Sequence, residues 1–305
     1  ERERPHKENY RARRAAAQDT PFAIGGHPKP TQKTLDVPEE ERAKVYEAKW
    51  QIGGSISYLY SFTDLLVNKE ANDTASEFVR NKIRSIVKDK RTAELLAPKD
   101  HPIGTKRLCL DTNYYETYNR PNVSLVDVRS DPIEGITATG LKLKSGAAYE
   151  FDALVFATGF DAMTGALNEI DVRTTDGAVL REHWEGGPLT YLGIMVAGFP
   201  NMFVVTGPGS PGVKTQMIAS IEQHVDWLAD AIDHLNKHQL NRIEPTADAE
   251  AKWVEHVNQV ADSTLYPLAN SWYMGANIPG KPRVFMPYVG GYDRYKRDRK
   301  STRLN

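Results

Sequence analysis

The sequence predicts an α/β protein, and three observations carry that reading. Two apolar runs, Ala153-Leu154-Val155-Phe156-Ala157 and Met202-Phe203-Val204-Val205, each lead into a Thr-Gly pair. Continuous apolar strands belong to the buried, parallel part of an α/β sheet rather than to a half-solvated antiparallel one. The second run passes through Gly207-Pro208-Gly209-Ser210-Pro211-Gly212 into a segment whose apolar residues Ile218, Ile221, Val225, Leu228, Ile232 and Leu235 are spaced 3, 4, 3, 4, 3. That is the period of one helix face. Third, roughly the first hundred residues carry helix signals and the strand signals begin after them, so helical and sheet-forming parts are segregated along the chain.

Taken in order, Pro38 followed by Glu39, Glu40 and Glu41 sets a helix N-terminus, because proline suits the first turn and carboxylates suit its positive end. Val45, Tyr46 and Trp50 form its apolar face, and Gly53-Gly54 ends it. A second helix is expected from Ile56 to about Val67. Asn72-Asp73-Thr74 offers caps for a third, with Ala75, Phe78, Val79, Ile83, Ile86 and Val87 on one side. From Gly104 the period changes to that of strands: Lys106 to Leu110, Val123 to Val128, and a hairpin made by Gly140 to Gly146 with Tyr149-Glu150-Phe151. There is no internal repeat.

A chain of 305 residues has room for about two domains. Its 40% hydrophobic and 26% charged residues and net charge of −1 are those of an ordinary globular protein, so global charge implies no polyanion partner and no nucleic acid. One cysteine, Cys109, excludes an intrachain disulfide framework and a multi-cysteine metal site, and fits a reducing, cytoplasmic compartment. No apolar run approaches the ~20 residues that span a bilayer, and no membrane partner is expected. The opening Glu1-Arg2-Glu3-Arg4-Pro5 reads as mid-chain sequence.

Gly207, Gly209 and Gly212 satisfy G-x-G-x-x-G between a strand and a helix, the context of the dinucleotide fingerprint. Two intervening prolines lack an N–H to offer a pyrophosphate, and no second strand with an acidic end follows the helix, so a simple Rossmann turn is rejected. Two readings stay open: a helix N-terminus for a partly negative group, or a plain strand-to-helix turn. Asp230, His234 and His238 recur every four residues but share a solvated flank with Asp233, Asn236 and Lys237, and no metal is expected there. His183, His224 and His256 have no recognisable partners, and the basic clusters at residues 11–14 and 294–297 read as solvated tails. Three features suggest more. Lys106-Arg107 is either an oxyanion or phosphate contact or a surface ion pair. Thr158-Gly159-Phe160-Asp161 lets a backbone approach a flat cofactor. Asn270 to Asn277 reads as an exposed aromatic loop fit for binding.

Five stretches carry a resemblance: Gly104-Thr105-Lys106-Arg107-Leu108-Cys109, Tyr114 to Val123, Ala157-Thr158-Gly159-Phe160-Asp161-Ala162, Thr206-Gly207-Pro208-Gly209-Ser210-Pro211, and Asn270-Ser271-Trp272-Tyr273 through Pro287. Together they resemble the C-terminal part of type I Baeyer–Villiger monooxygenases, in the branch of the phenylacetone and steroid monooxygenases. The resemblance implies an FAD enzyme that takes a hydride from NADPH, reacts with dioxygen, and inserts one oxygen beside a ketone carbonyl to give an ester or lactone. It implies two dinucleotide-binding domains with a helical insertion in the NADPH domain. Residues 1–102 would be that insertion, 103–159 the C-terminal part of the NADPH domain, and 160–305 the C-terminal part of the FAD domain. Both phosphate-binding fingerprints, the F-x-G-x-x-x-H-x-x-x-W-P signature between them, and the aspartate that partners the family's arginine are absent here. The N-terminal half of the same chain is therefore a missing partner, and the fragment is expected to be inactive alone.

By the same resemblance, Arg107 looks like the catalytic arginine and a contact to NADP, its permanent planar charge suiting a developing oxyanion. Lys106 looks like the contact to the 2′-phosphate of NADPH, and Trp272 like the indole that packs on the nicotinamide nucleotide. Thr158, Gly159, Asp161 and Met217 are the implied FAD contacts, with the helix dipole at Met217 facing the charge gained by the flavin. Ser210, Pro211, Gly212 and Val213 would wall the substrate pocket. Lys214 departs from the family, where an uncharged residue is more usual, and residues 299–305 depart as an extension. The rivals are a related N- or S-oxygenating flavin monooxygenase and a non-catalytic interaction scaffold.

Overall fold

The computed structural model describes residues 7–301, with side chains as far as residue 297. Residues 1–5 and the side chains of 299–305, on which two of the expectations fall, lie outside these. Five helices come first: α1 (Tyr10–Gln18), α2 (Glu39–Ile52), α3 (Ser55–Leu59), α4 (Lys69–Ile86) and α5 (Lys90–Leu96). Helix α2 starts after Pro38 and stops at Gly53, whose φ of 74° is the left-handed backbone that favours glycine. Its Tyr46 packs with Tyr58, Phe62, Leu65, Ala71 and Ala75 in the core of this lobe.

Two helix boundaries differ from the sequence reading. The second helix ends at Leu59, and the chain turns so that Phe62 and Leu65 enter the core, while the Asp64 carboxylate accepts from the backbone and hydroxyl of Thr34. Helix α4 starts earlier, with Asn68 as its cap, accepting from the Glu70 and Ala71 N–H groups. Asn72, expected at the cap, lies fully buried inside the helix. Its carboxamide donates to the carbonyls of Leu65 at 2.7 Å and Ile103 at 2.9 Å and accepts from the Ile103 N–H at 2.9 Å.

Helix α6 (Tyr114–Thr117) precedes an antiparallel sheet of β1 (Ile133–Ile136), β2 (Gly140–Leu143) and β3 (Ala148–Glu150), in that order. The expected hairpin is β2 with β3, in the register Gly140↔Glu150 and Leu141↔Tyr149. The other expected strands, at 106–110, 123–128, 153–157 and 202–206, do not form. A strand exists only through a neighbour, and the described residues supply none to these segments. Val155 and Phe156 accordingly stand 84% and 67% exposed, where a parallel sheet would bury them.

The remaining helices are α7 (Gly165–Asn168), α8 (Leu180–His183), α9 (Met217–Lys237), α10 (Ala247–Asp262) and α11 (Tyr292–Ser301). Leu192, Ile194, Met195, Trp253, Val257, Tyr288 and Tyr295 form their main core. Helix α9 packs through Ala219, Ser220, Gln223, His224 and Ala231, while Ile218, Ile221, Val225 and Ile232 of its periodic stripe face outward. His224 does have partners: its Nδ1 accepts from the Thr206 N–H at 3.0 Å and its Nε2 lies 2.9 Å from the Tyr295 hydroxyl. The basic segment 294–297 is not a solvated tail, because Tyr292 and Tyr295 are fully buried and anchor α11.

Candidate active site

The path to Arg107 starts at Asn72, whose hydrogen bonds fix Ile103 to α4. Gly104 follows with φ of 84°, and a Cβ there would stand 2.7 Å from a methyl of Leu59 and 2.9 Å from one of Leu66. Only glycine lets the segment lie that close to the lobe. Three residues on, the Arg107 guanidinium donates to the Val213 carbonyl at 2.8 Å, across 106 positions of sequence.

Val213 belongs to a loop held rigid from several sides. Gly209 N–H donates to Met286 O at 2.6 Å, Trp253 Nε1 donates to Gly209 O at 3.2 Å, the Thr190 hydroxyl donates to Pro208 O at 2.6 Å, and Tyr288 N–H donates to Ser210 O at 2.9 Å. Ser210, Pro211 and Gly212 are buried by these contacts and Val213 is half-buried. A Cβ on Gly193 would fall 2.6 Å from the Ser210 nitrogen, which explains the glycine. The loop ends at Met217, the first residue of α9, where the Gln216 side chain caps the helix by accepting from Ala219 N–H at 2.6 Å.

Beside Arg107, Lys214 lies over two phenol rings, its Nζ 4.3 Å from the Tyr266 centroid and 4.5 Å from that of Tyr273. Burial, and then the charge of Arg107, lower the Lys214 ammonium to about 7. Burial raises both phenols, so Tyr266 and Tyr273 present neutral faces. Trp272 is half-buried, its ring 4.2 Å from that of Tyr273. The expected exposed aromatic loop is thus a packed corner, since Tyr273 is fully buried. Arg107 also lines a cavity of about 590 Å³ with Trp50, Arg80, His101, Cys109 and Tyr115. A larger groove, about 880 Å³, runs between α8 and α10 past Glu250 and His183, and none of the residues singled out for cofactor chemistry lines it.

The fold therefore joins Arg107, the 210–213 loop and Trp272, and it adds Lys214, Tyr266 and Asn72. Sequence reading marked Lys214 only as a departure and missed Tyr266 and Asn72; a polar residue inside the apolar face of α4 was the one available signal. Other expected residues stand apart. Thr158 and Gly159 are exposed, and Asp161 is ion-paired with Lys281. Lys106 lies 3.6 Å from Asp100, the ion-pair alternative left open above. As a flavin site, the capped start of the 21-residue α9 fits the ring end, where its dipole favours negative charge. The glycine turn does not fit a diphosphate, because its Gly209 N–H is already spent on Met286 O.

No family model matches the chain. Among curated proteins, a Baeyer–Villiger monooxygenase of Pseudooceanicola batsensis is 44% identical over 258 residues, 84% of this chain and 47% of that protein. A phenazine N-monooxygenase of Lysobacter antibioticus is 41% identical over 263 residues, 86% of this chain and 48% of that protein. Among solved structures, oxidized steroid monooxygenase bound to NADP superposes with a TM-score of 0.89 at 47% identity, covering 97% of this chain and 56% of that one. The scaffold is thus that of the flavoprotein monooxygenases with two dinucleotide-binding domains. Within that class the chain belongs to the Baeyer–Villiger family. It spans about half the length of the relatives it matches.

Proposed function

We propose that this chain supplies the arginine-bearing half of an FAD- and NADPH-dependent monooxygenase that converts a ketone and dioxygen into an ester or lactone. The observation that carries the reading is the Arg107 guanidinium, held at 2.8 Å by the carbonyl of Val213 beside the start of α9. Flavin supplies the hydride acceptance and oxygen activation. Arg107 is the catalytic residue: it orients the nicotinamide nucleotide and stabilises the oxyanion that grows when the ketone carbonyl is attacked. Lys106 meets the 2′-phosphate of NADPH, Trp272 packs on the nucleotide, and Thr158, Gly159, Asp161 and the backbone of Met217 contact FAD. Ser210, Pro211, Gly212 and Val213 wall the ketone pocket. Residues 1–102 form the helical insertion, 103–159 complete the NADPH domain and 160–305 the FAD domain, with the other half of the relatives' length as partner. The exposed apolar residues of 153–156 and α9 suit such a covering partner. The enzyme is cytoplasmic.

In the full-length protein, Arg107→Ala is expected to leave anaerobic reduction by NADPH within about tenfold of wild type while ester formation falls by about 10²–10³. Stopped-flow absorbance and product analysis in air read the two halves, and retained ester formation would remove Arg107 from catalysis. A second reading, N-oxygenation, is favoured by the phenazine N-monooxygenase relative. Product analysis with phenazine in place of a ketone separates the two.

A further inference from the structure

Lys214 has no part in the chemistry above, yet it is set beside the arginine. Its Nζ stands over the faces of Tyr266 and Tyr273, 3.5 Å from the Tyr273 hydroxyl, and its neighbour Val213 holds Arg107. Among the described residues no carboxylate lies within 4.0 Å of either cation. Enclosing an ammonium without a counter-charge is unfavourable, and two ring faces offset only part of that cost. Two cations meeting at one loop, Lys214 on it and Arg107 bonded to it, leave a local positive field, and the chemistry that answers it is a small anion. Lys106, 3.6 Å from Asp100, is the cation assigned above to the 2′-phosphate of the nucleotide, one source of negative charge. The other source is the substrate.

We propose that Lys214 is a specificity-determining residue whose ammonium takes a carboxylate of the substrate, so that the preferred ketones carry an acidic group. The inference rests on the monooxygenase reading and names its substrate class. Arg107, from the segment after Gly104, is the charged group that faces Lys214, and Tyr266 and Tyr273, from the two turns beneath it, are the titratable ones. Both phenols stay neutral, so the charge that changes with pH is that of Lys214 itself. Its ammonium is present below about 7 and lost above, and preference for the acid follows it.

Levulinate and its methyl ester differ only in that carboxylate, and the flavin-loaded full-length protein is assayed with both. Lys214→Leu is expected to raise the ratio of KM for the acid to KM for the ester about tenfold or more, and Lys214→Arg to hold it within about threefold. In wild type the same ratio should rise between about pH 6 and about pH 8.5, and in Lys214→Leu it should not. Calorimetric titration of levulinate into the oxidised protein with NADP present reads binding without turnover, and Lys214→Gln serves if the leucine variant does not fold. An unchanged KM ratio, or a loss confined to the KM for NADPH, overturns the proposal. If neither ketone is oxygenated, the monooxygenase reading fails while the titration still decides: tight levulinate binding that needs Lys214 supports the anion site, and equal binding by wild type and variant refutes it.

Discussion

Trp272 opens the short turn Trp272–Met274, and its indole leans on Tyr273, which is fully buried. It is half-buried, so part of the ring remains available to a flat ligand while the rest is fixed by packing. An aromatic contact of this kind contributes about 0.5–1.5 kcal/mol beyond its area, which corresponds to about twofold to tenfold in an equilibrium constant. Trp272→Ala in the full-length protein is therefore expected to raise the KM for NADPH by about that factor and to leave flavin content at wild type. Trp272→Phe separates the indole N–H from the ring face. Flavin lost with an unaltered nucleotide KM would show that the assignment is wrong. The Arg107→Ala variant belongs to the same scale, since reduction and oxygenation are expected to come apart at one side chain.

At the scale of elements, the hinge between α4 and the arginine segment is decided by Asn72. One carboxamide closes hydrogen bonds to Leu65, Ile103 and Ser76, all inside the first lobe. Asn72→Ala leaves the buried Leu65 carbonyl and the Ile103 carbonyl without their donor, at about 1–3 kcal/mol for a buried group left unmade, while the Ile103 N–H keeps the Ser76 hydroxyl at 3.3 Å. The expected outcome is a lower midpoint in urea unfolding together with a reduced kcat for the ketone, because the support under Gly104 and Arg107 loosens. A Ser or Asp variant recovers part of the midpoint. Full activity in a variant that has lost stability would show that α4 does not position the arginine. Asn72 also shows why helix ends are poorly legible in sequence: an Asn-Asp-Thr run looks like a cap, and only the packing of Ile103 turns the first of these residues inward.

For the molecule as a whole, two features set its behaviour as an isolated chain of 305 residues. The glycine turn before α9 has its Gly209 N–H bonded to Met286, and two of its residues are prolines, so it cannot cradle a diphosphate. The isolated chain is expected to be colourless after desalting, and flavin near one equivalent would contradict this. The second feature is exposed apolar surface. Val155 and Phe156 join the outward stripe of α9, including Ile218 at 60% exposure, and unpaired apolar segments of this kind associate. Light scattering of the isolated chain should show concentration-dependent aggregates that diminish when the other half of the protein is co-expressed.

The sequence by itself determined the helices with strong local signals, the hairpin and the family. Pro38 with three glutamates, Gly53-Gly54 and the spacing from Ile218 to Leu235 act over a few residues, and the blocks around Arg107, Gly159 and Trp272 are long and specific to the family. It also singled out Arg107 and the 210–213 loop, which the fold joins through the hydrogen bond from the guanidinium to the Val213 carbonyl. Only the tertiary structure decided what depends on distant segments. The apolar runs at 153–157 and 202–206 look like strands locally, but pairing is a property of two segments, and their partners are not among the described residues. His224 acquires Thr206 and Tyr295 as partners, and Lys214 acquires its two phenol rings, across 52 and 59 positions for the lysine's Tyr266 and Tyr273. Those neighbours turn an ordinary surface-type lysine into an enclosed cation beside the arginine, because burial and proximity of charge are set in space and not along the chain.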